Sequence, residues 1–179
     1  MALSVSVMSW TAPSVERAFT PDEGDEATLL NAFLEFHRET LLWKCSGLAG
    51  EQLAQRPVST TVMSLLGLLR HLTDVERQWL RIVGDGEEVD SLYWGKPGRD
   101  SDFDDVTAAN AERDYLAYVS EIDRCRALQN KDLDAIIVNP QDGGRFTFRW
   151  ILIHLIEEYA RHNGHADLIR EAIDGETGE

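Results

Sequence analysis

Between Asp25 and about Leu48 the apolar positions Leu29, Leu30, Phe33, Leu34, Leu41 and Leu42, with His37 among them, recur every three or four residues. That is the spacing of one face of a helix. A connection through Arg56, Pro57 and Ser59 leads to a second periodic stretch, where Ser64 is placed to cap a helix carrying Leu65, Leu68, Leu69, Leu72, Val75, Trp79, Leu80 and Val83 to an end near Gly84. Residues 85–104 are rich in Gly and Asp, with an aromatic island at Tyr93 and Trp94, and read as a long loop, a kind of segment that often carries function. A third helix is expected from about Asp105 to Asn130, with Tyr115, Leu116, Val119, Ile122 and either Cys125 or Arg126 on its apolar side. Leu133 to Val138 is short and β-branched, bounded by Asn139, Pro140 and the Gly143–Gly144 pair, and predicts an extended crossing or one strand of a small hairpin with Arg145 to Phe148. The last helix runs from about Thr147 to Ile173 through Phe148, Ile151, Leu152, Leu155, Tyr159, Leu168 and Ile169, and stops at Asp174–Gly175. Four long helices with no sustained β pattern predict an all-α fold, an antiparallel four-helix bundle with one or two long connections.

Residues 1–20 lack this periodicity and read as an N-terminal arm, so the whole of 1–179 is expected to be one domain. A chain of this length buries roughly 70% of the surface its unfolded form exposes. No apolar run approaches the roughly 20 residues that cross a bilayer, and Met1 to Trp10 lack the basic start of a secretory signal, so a cytoplasmic protein is expected. The net charge of −15 opposes nucleic acid and anionic membrane surfaces as partners, because phosphate contacts need clustered cations. Cys45 and Cys125 form no CxxC motif, which predicts two buried free thiols rather than a zinc finger or a disulfide framework. Dimerisation through the bundle faces, giving a homodimer, is compatible with the pattern.

Three of the five histidines fall in the last helix, in the run from His154 through Glu157, Glu158, Arg161 and His162 to His165. Glu158 and His162 stand about 40° apart around the helix axis and about 6 Å along it, so both can reach one cation. His154 with Glu158, and His162 with His165, pass the same test, and spacing alone does not choose among them. A third ligand must come from another helix, and His71, beside the buried face of the second helix, is the best candidate. The alternative is a hydrogen-bonded core His71 and a solvated polar face on the last helix. No HExxH, paired ExxH, GxSxG, P-loop or dinucleotide-binding glycine pattern occurs.

With His71 in the stretch Leu69 to Trp79, and Phe148 to His154 followed by His162-Asn163-Gly164-His165, the chain resembles the DinB-like superfamily over nearly its full length. The resemblance implies a four-helix bundle with a metal near one end, held by one side chain from the second helix and two spaced by four on the last. Gly164 then selects His162, and four residues earlier lies Glu158 where most members carry histidine. The resulting His71, Glu158, His162 set is similar to that of the mycothiol-dependent maleylpyruvate isomerase branch. That branch carries a further C-terminal domain, so the resemblance implies its metal-binding bundle and not isomerase activity. It further implies a divalent metal, zinc or nickel, and a small-molecule thiol, mycothiol or bacillithiol, attacking a small electrophile. The function expected is therefore a metal-dependent low-molecular-weight-thiol S-transferase, the alternative being a non-catalytic, stress-related metal- or small-ligand-binding bundle. Asp74, one turn from His71, is expected to orient that histidine. Tyr93, Trp94 and Trp79 are candidates for a pocket mouth, Arg70, Arg149 and Arg161 for solvated ion pairs or, as the alternative, for orienting substrate carboxylates, and His154 and His165 for supporting rather than ligating roles.

Overall fold

The computed structural model describes residues 10–95 and 100–178. Four long helices carry the fold: α1 (Glu26–Cys45), α3 (Leu65–Glu76), α5 (Ala111–Arg126) and α6 (Phe148–Asp174). Short turns of helix, α2 (Gly50–Leu53) and α4 (Ser101–Asp104), and a hairpin of β1 (Ile136–Val138) and β2 (Arg145–Thr147) complete it. The strands pair antiparallel with Ile137 opposite Phe146, confirming the hairpin predicted before the last helix. The all-α bundle expected from the periodicity is the observed class. Of the N-terminal arm, residues 1–9 lie outside the described residues; beyond them Ala12 exchanges backbone hydrogen bonds with Gly47 and Leu48, tying the arm to the end of α1.

Local chemistry explains the helix starts. The side chains of Asp25, Ser64 and Thr147 accept hydrogen bonds from the amides of Thr28, Gly67 and Trp150, filling donors that each first turn leaves unpaired. α6 ends on Gly175, whose φ of 83° is one that side chains resist. α5 begins at Ala111 rather than at Asp105 as the sequence predicted, because Thr107 is extended and a single 3-10 turn, Ala108–Asn110, intervenes. The expected loop 85–104 likewise ends in α4. α1 stops at Cys45, short of Leu48. Three residues assigned to apolar faces are in fact exposed, Phe33 at 45%, Leu116 at 54% and Leu168 at 63%, since each falls at the edge of its buried stripe. Cys125, not Arg126, is the buried member of its pair, Arg126 instead meeting Glu35 and Asp123 at the surface.

α3 does not end at Glu76 but widens into a π-helical stretch, Arg77–Val83, closed by Gly84, where a Cβ would stand 2.8 Å from the Trp79 carbonyl oxygen. Such widened turns cluster at functional sites. This one lets Arg77 and Arg81 both reach Glu121 of α5, at 2.7 and 2.8 Å.

The core is one contiguous cluster of Leu, Ile, Val and aromatic side chains running from Ala12 to Ile169. Through its centre passes a charge pair that the pattern did not announce. Arg38 of α1 and Glu76 of α3 are both fully buried, and the guanidinium grips the carboxylate with two bonds of 2.6 and 2.7 Å. Gln129 accepts a third bond from Arg38, Tyr159 of α6 donates to Glu76 at 2.9 Å, and Tyr118 of α5 meets Tyr159 at 2.9 Å. One polar network thus joins all four long helices. Removing one member of a buried pair strands the other charge, so Glu76→Ala should lower the unfolding free energy by about 3 to 5 kcal/mol. Arg149→Ala, which breaks exposed pairs with Glu26 and Asp134, should leave the midpoint almost unchanged; urea titrations followed by circular dichroism compare the two.

Candidate metal centre

α3 carries His71 on the margin of its buried face, flanked by two residues that fasten a distant loop. Asp74 accepts the backbone amides of Leu92, Tyr93 and Trp94 at 2.7 to 2.8 Å. Arg70, 3% exposed, donates to the carbonyls of Ser101 and Asp105, both at 2.8 Å, and lies over the Tyr93 ring. Between them these two hold the segment that brings Asp102 to His71. The Asp102 Oδ2 accepts from His71 Nδ1 at 2.8 Å and from the Trp94 indole N–H at 3.0 Å. Burial pushes the Asp102 carboxyl up, but the bonds from His71 and Trp94 outweigh it and hold the group below the usual carboxylate range. The expected His71–Asp74 pairing is therefore corrected: both Asp74 oxygens are taken by backbone amides, and Asp102 fills the role.

On α6, one turn apart, Glu158 and His162 face His71. The Glu158 Oε2 lies 3.5 Å from His162 Nε2 and 4.0 Å from His71 Nε2. The two imidazole rings are 4.6 Å apart between centroids. One donor atom from each of the three side chains falls within 4.8 Å of the other two. The far nitrogens are also engaged. An ionised Asp102 can only accept, so His71 carries its proton on Nδ1 and turns the Nε2 lone pair toward Glu158. His162 Nδ1 sits 3.4 Å from His165 Nδ1, and with His162 as donor its Nε2 is likewise free. Burial, together with the nearby His71, His165 and Arg161, pulls His162 down to about 3, so its ring stays neutral at physiological pH. Phe103 stacks on His71, and it fits because residue 67 is glycine: a Cβ there would stand 2.6 Å from the Phe103 ring.

The donor set suits a divalent cation. Zinc bonds of about 2.0 to 2.1 Å in a tetrahedron put ligand atoms about 3.3 Å apart, so separations of 3.5 and 4.0 Å need only a small contraction. Two neutral imidazoles and one carboxylate leave a fourth position open, and His71 also borders a cavity of about 360 Å³ lined by Trp94, Gly95, Asp100, Asp102 and Phe103. Trp94 thus occupies a pocket wall. Tyr93 is buried beneath Arg70, and Trp79 packs against Phe146, Trp150 and His154 instead.

The remaining sequence candidates divide. His154 stacks on Trp150 with the rings 12° apart and reaches the other oxygen of Glu158, Oε1, at 3.7 Å. It also forms a second acidic group with Glu157 and Glu158. Arg149 and Arg161 form exposed ion pairs as expected, but Arg70 is a buried structural cation. Cys45 and Cys125 are buried free thiols, with burial pushing Cys45 up to about 12. Sequence reasoning missed Asp102 and Phe103, because residues of a short helical turn more than 30 positions from His71 leave no periodic trace.

The sequence model described as mycothiol-S-transferase matches residues 29–175, from early α1 to the end of α6, and includes His71, Glu158 and His162. A search of curated proteins finds no match. Among the described residues no helix is long and apolar enough to cross a membrane. With a helical bundle around it and a family match over most of its length, the chain belongs to the mycothiol S-transferase family of the DinB-like superfamily.

Proposed function

We propose that the protein is a divalent-metal-dependent S-transferase that joins a low-molecular-weight thiol, mycothiol in the first instance, to a small electrophile. The observation that carries the reading is the convergence of His71, Glu158 and His162, with the outer nitrogen of each histidine engaged by another side chain. These three side chains would hold the metal, zinc or nickel. When bound, such an ion supplies an open position at which a thiol loses its proton near neutral pH. The protein's own part is to keep the His162 ring neutral, to aim both imidazoles through their outer nitrogens, and to provide a carboxylate oxygen from Glu158. Phe103 and Trp94 wall the His71 side with aromatic surface. Small-molecule rather than nucleic-acid partners agree with a net charge of −15, and the setting we propose is the cytoplasm, where small thiols are kept reduced.

Elemental analysis of gently purified protein should find about one equivalent of zinc or nickel, lost in His71→Ala, Glu158→Ala and His162→Ala alike. Full metal retained in any two of these variants would contradict the ligand set. Incubated with 1-chloro-2,4-dinitrobenzene, the loaded protein should consume mycothiol faster than bacillithiol and stop when a chelator strips the metal. Metal binding without consumption of either thiol across a panel of electrophiles would favour a non-catalytic metal-binding bundle.

The metal-free protein should also lose stability on acidification. An unfolded His162 takes up a proton near the usual 6.5, whereas the folded one resists until about 3. Between those values the unfolded state binds more protons, so unfolding becomes easier as pH falls. In chelator-treated protein, His162→Gln should flatten the decline between pH 7 and pH 5 in urea titrations; an unchanged slope would mean that the ring is not desolvated.

A further inference from the structure

α3 carries the sequence Arg70-His71-Leu72-Thr73-Asp74, and the two charged residues on either side of His71 bind backbone outside the helix, Asp74 at residues 92–94 and Arg70 at the two ends of α4. Asp74 saturates three consecutive amides at residues 92–94, and Arg70 binds the carbonyls of Ser101 and Asp105. The Ser101 hydroxyl closes the arrangement by donating to the Tyr93 carbonyl. Backbone on both sides of residues 96–99 is thereby fixed to α3 itself. The product of that effort is the position of one carboxylate. Asp102 is 3% exposed, and a single one of its oxygens, Oδ2, accepts both the His71 Nδ1 proton and the Trp94 indole proton.

We infer that Asp102 is the positioning residue of the metal centre: its Oδ2 locks His71 in the tautomer and orientation that present Nε2 to Glu158 and His162, and ties the Trp94 wall of the cavity to that ligand. The inference rests on the proposed metal-dependent reading and names a residue that sequence alone had misassigned to Asp74. An imidazole on a helix margin can rotate about its side-chain bonds and exchange its proton between two nitrogens. Wrong rotation or wrong tautomer removes the lone pair from the site, and a buried, doubly bonded carboxylate oxygen prevents both. Residues that orient metal-bound histidines in this way commonly alter metal affinity by about 10- to 100-fold when removed. Trp94 makes the second bond from a different direction, so Asp102 itself has little freedom to follow His71 away.

The test compares wild-type full-length protein with Asp102→Asn, Asp102→Ala and Trp94→Phe. Nitrogen-15 resonances of the imidazole of His71 in metal-free protein report its tautomer, and cobalt(II) titration against a competing chelator reports affinity and the visible spectrum of the bound ion. Wild type should show the proton on Nδ1 alone. Asp102→Ala should mix the tautomers and weaken cobalt binding by about 10- to 100-fold. Asp102→Asn keeps an oxygen acceptor and should recover most of both, while Trp94→Phe, which leaves the His71 bond in place, should keep the tautomer and bind cobalt nearly as wild type does. Asp102→Leu, with the branched shape of aspartate but no acceptor, replaces the alanine variant if circular dichroism finds the latter unfolded. Equal cobalt affinity, spectrum and tautomer in wild type and the acceptor-free variant overturn this inference alone. Wild-type protein that takes up no cobalt overturns the metal reading, and the inference with it.

Discussion

The buried pairing of Arg38 with Glu76 sets the relation among the helices on which everything else in the molecule depends. Two charges taken wholly out of water cost several kcal/mol each, roughly, and are tolerated only where geometry satisfies them completely. Here that satisfaction requires all four long helices at once, with Gln129, Tyr118 and Tyr159 completing the network. A slip of α3 along α6 would separate Glu76 from Tyr159. The same slip would separate His71, five residues before Glu76, from Glu158, the neighbour of Tyr159 in the chain. The polar core therefore acts less as a source of net stability than as a register pin for the site one turn away.

From that register the electrostatics of the site follow. Imidazoles from α3 and α6 are brought to 4.6 Å in partial burial, where two positive rings would repel and neither could be well hydrated. The surroundings hold the His162 ring neutral at physiological pH. Around the two rings stand two carboxylates with different duties. Asp102 is spent on orienting His71 and holding Trp94, whereas Glu158 keeps its oxygens toward imidazole nitrogens, Oε2 toward His71 and His162 and Oε1 toward His154. Aromatic rings of Phe103 and Trp94 cover one side of His71 and limit water there.

Much of this was readable in the sequence where the signal is local. The helix cap at Ser64, the start of the last helix at about Thr147 and its stop at Gly175 are set by residues adjacent in the chain, and each was legible, as was the hairpin between Ile136 and Thr147 as one of two alternatives. The spacing of Glu158 and His162 follows from helix geometry, but choosing them over the equally spaced pairs with His154 and His165 needed the likeness to a known family. The family match placed the chain among mycothiol S-transferases, within the DinB-like superfamily that the residues had suggested, while Glu158 in place of the usual histidine resembles the pattern of the isomerase branch. What the sequence concealed depends on contacts between distant segments. Arg38 and Glu76 look like ordinary surface charges until α1 and α3 are packed together, and Arg70 looked solvated until α4 and Asp105 covered it. Asp102 became the partner of His71 only through that same packing of α4. Leu116 and Leu168 erred the other way, since periodicity marks a stripe but not its width.

The central claim is that two imidazole nitrogens and one carboxylate oxygen from two helices share a single ion. X-ray absorption at the metal edge of the loaded protein, measured before any thiol is added, reads that shell directly. The account predicts nitrogen and oxygen neighbours at about 2.0 to 2.1 Å, with the outer-shell scattering of two imidazole rings and no sulfur, because Cys45 and Cys125 are buried away from the site. A sulfur shell, or a shell of water oxygens without imidazole scattering, would contradict it.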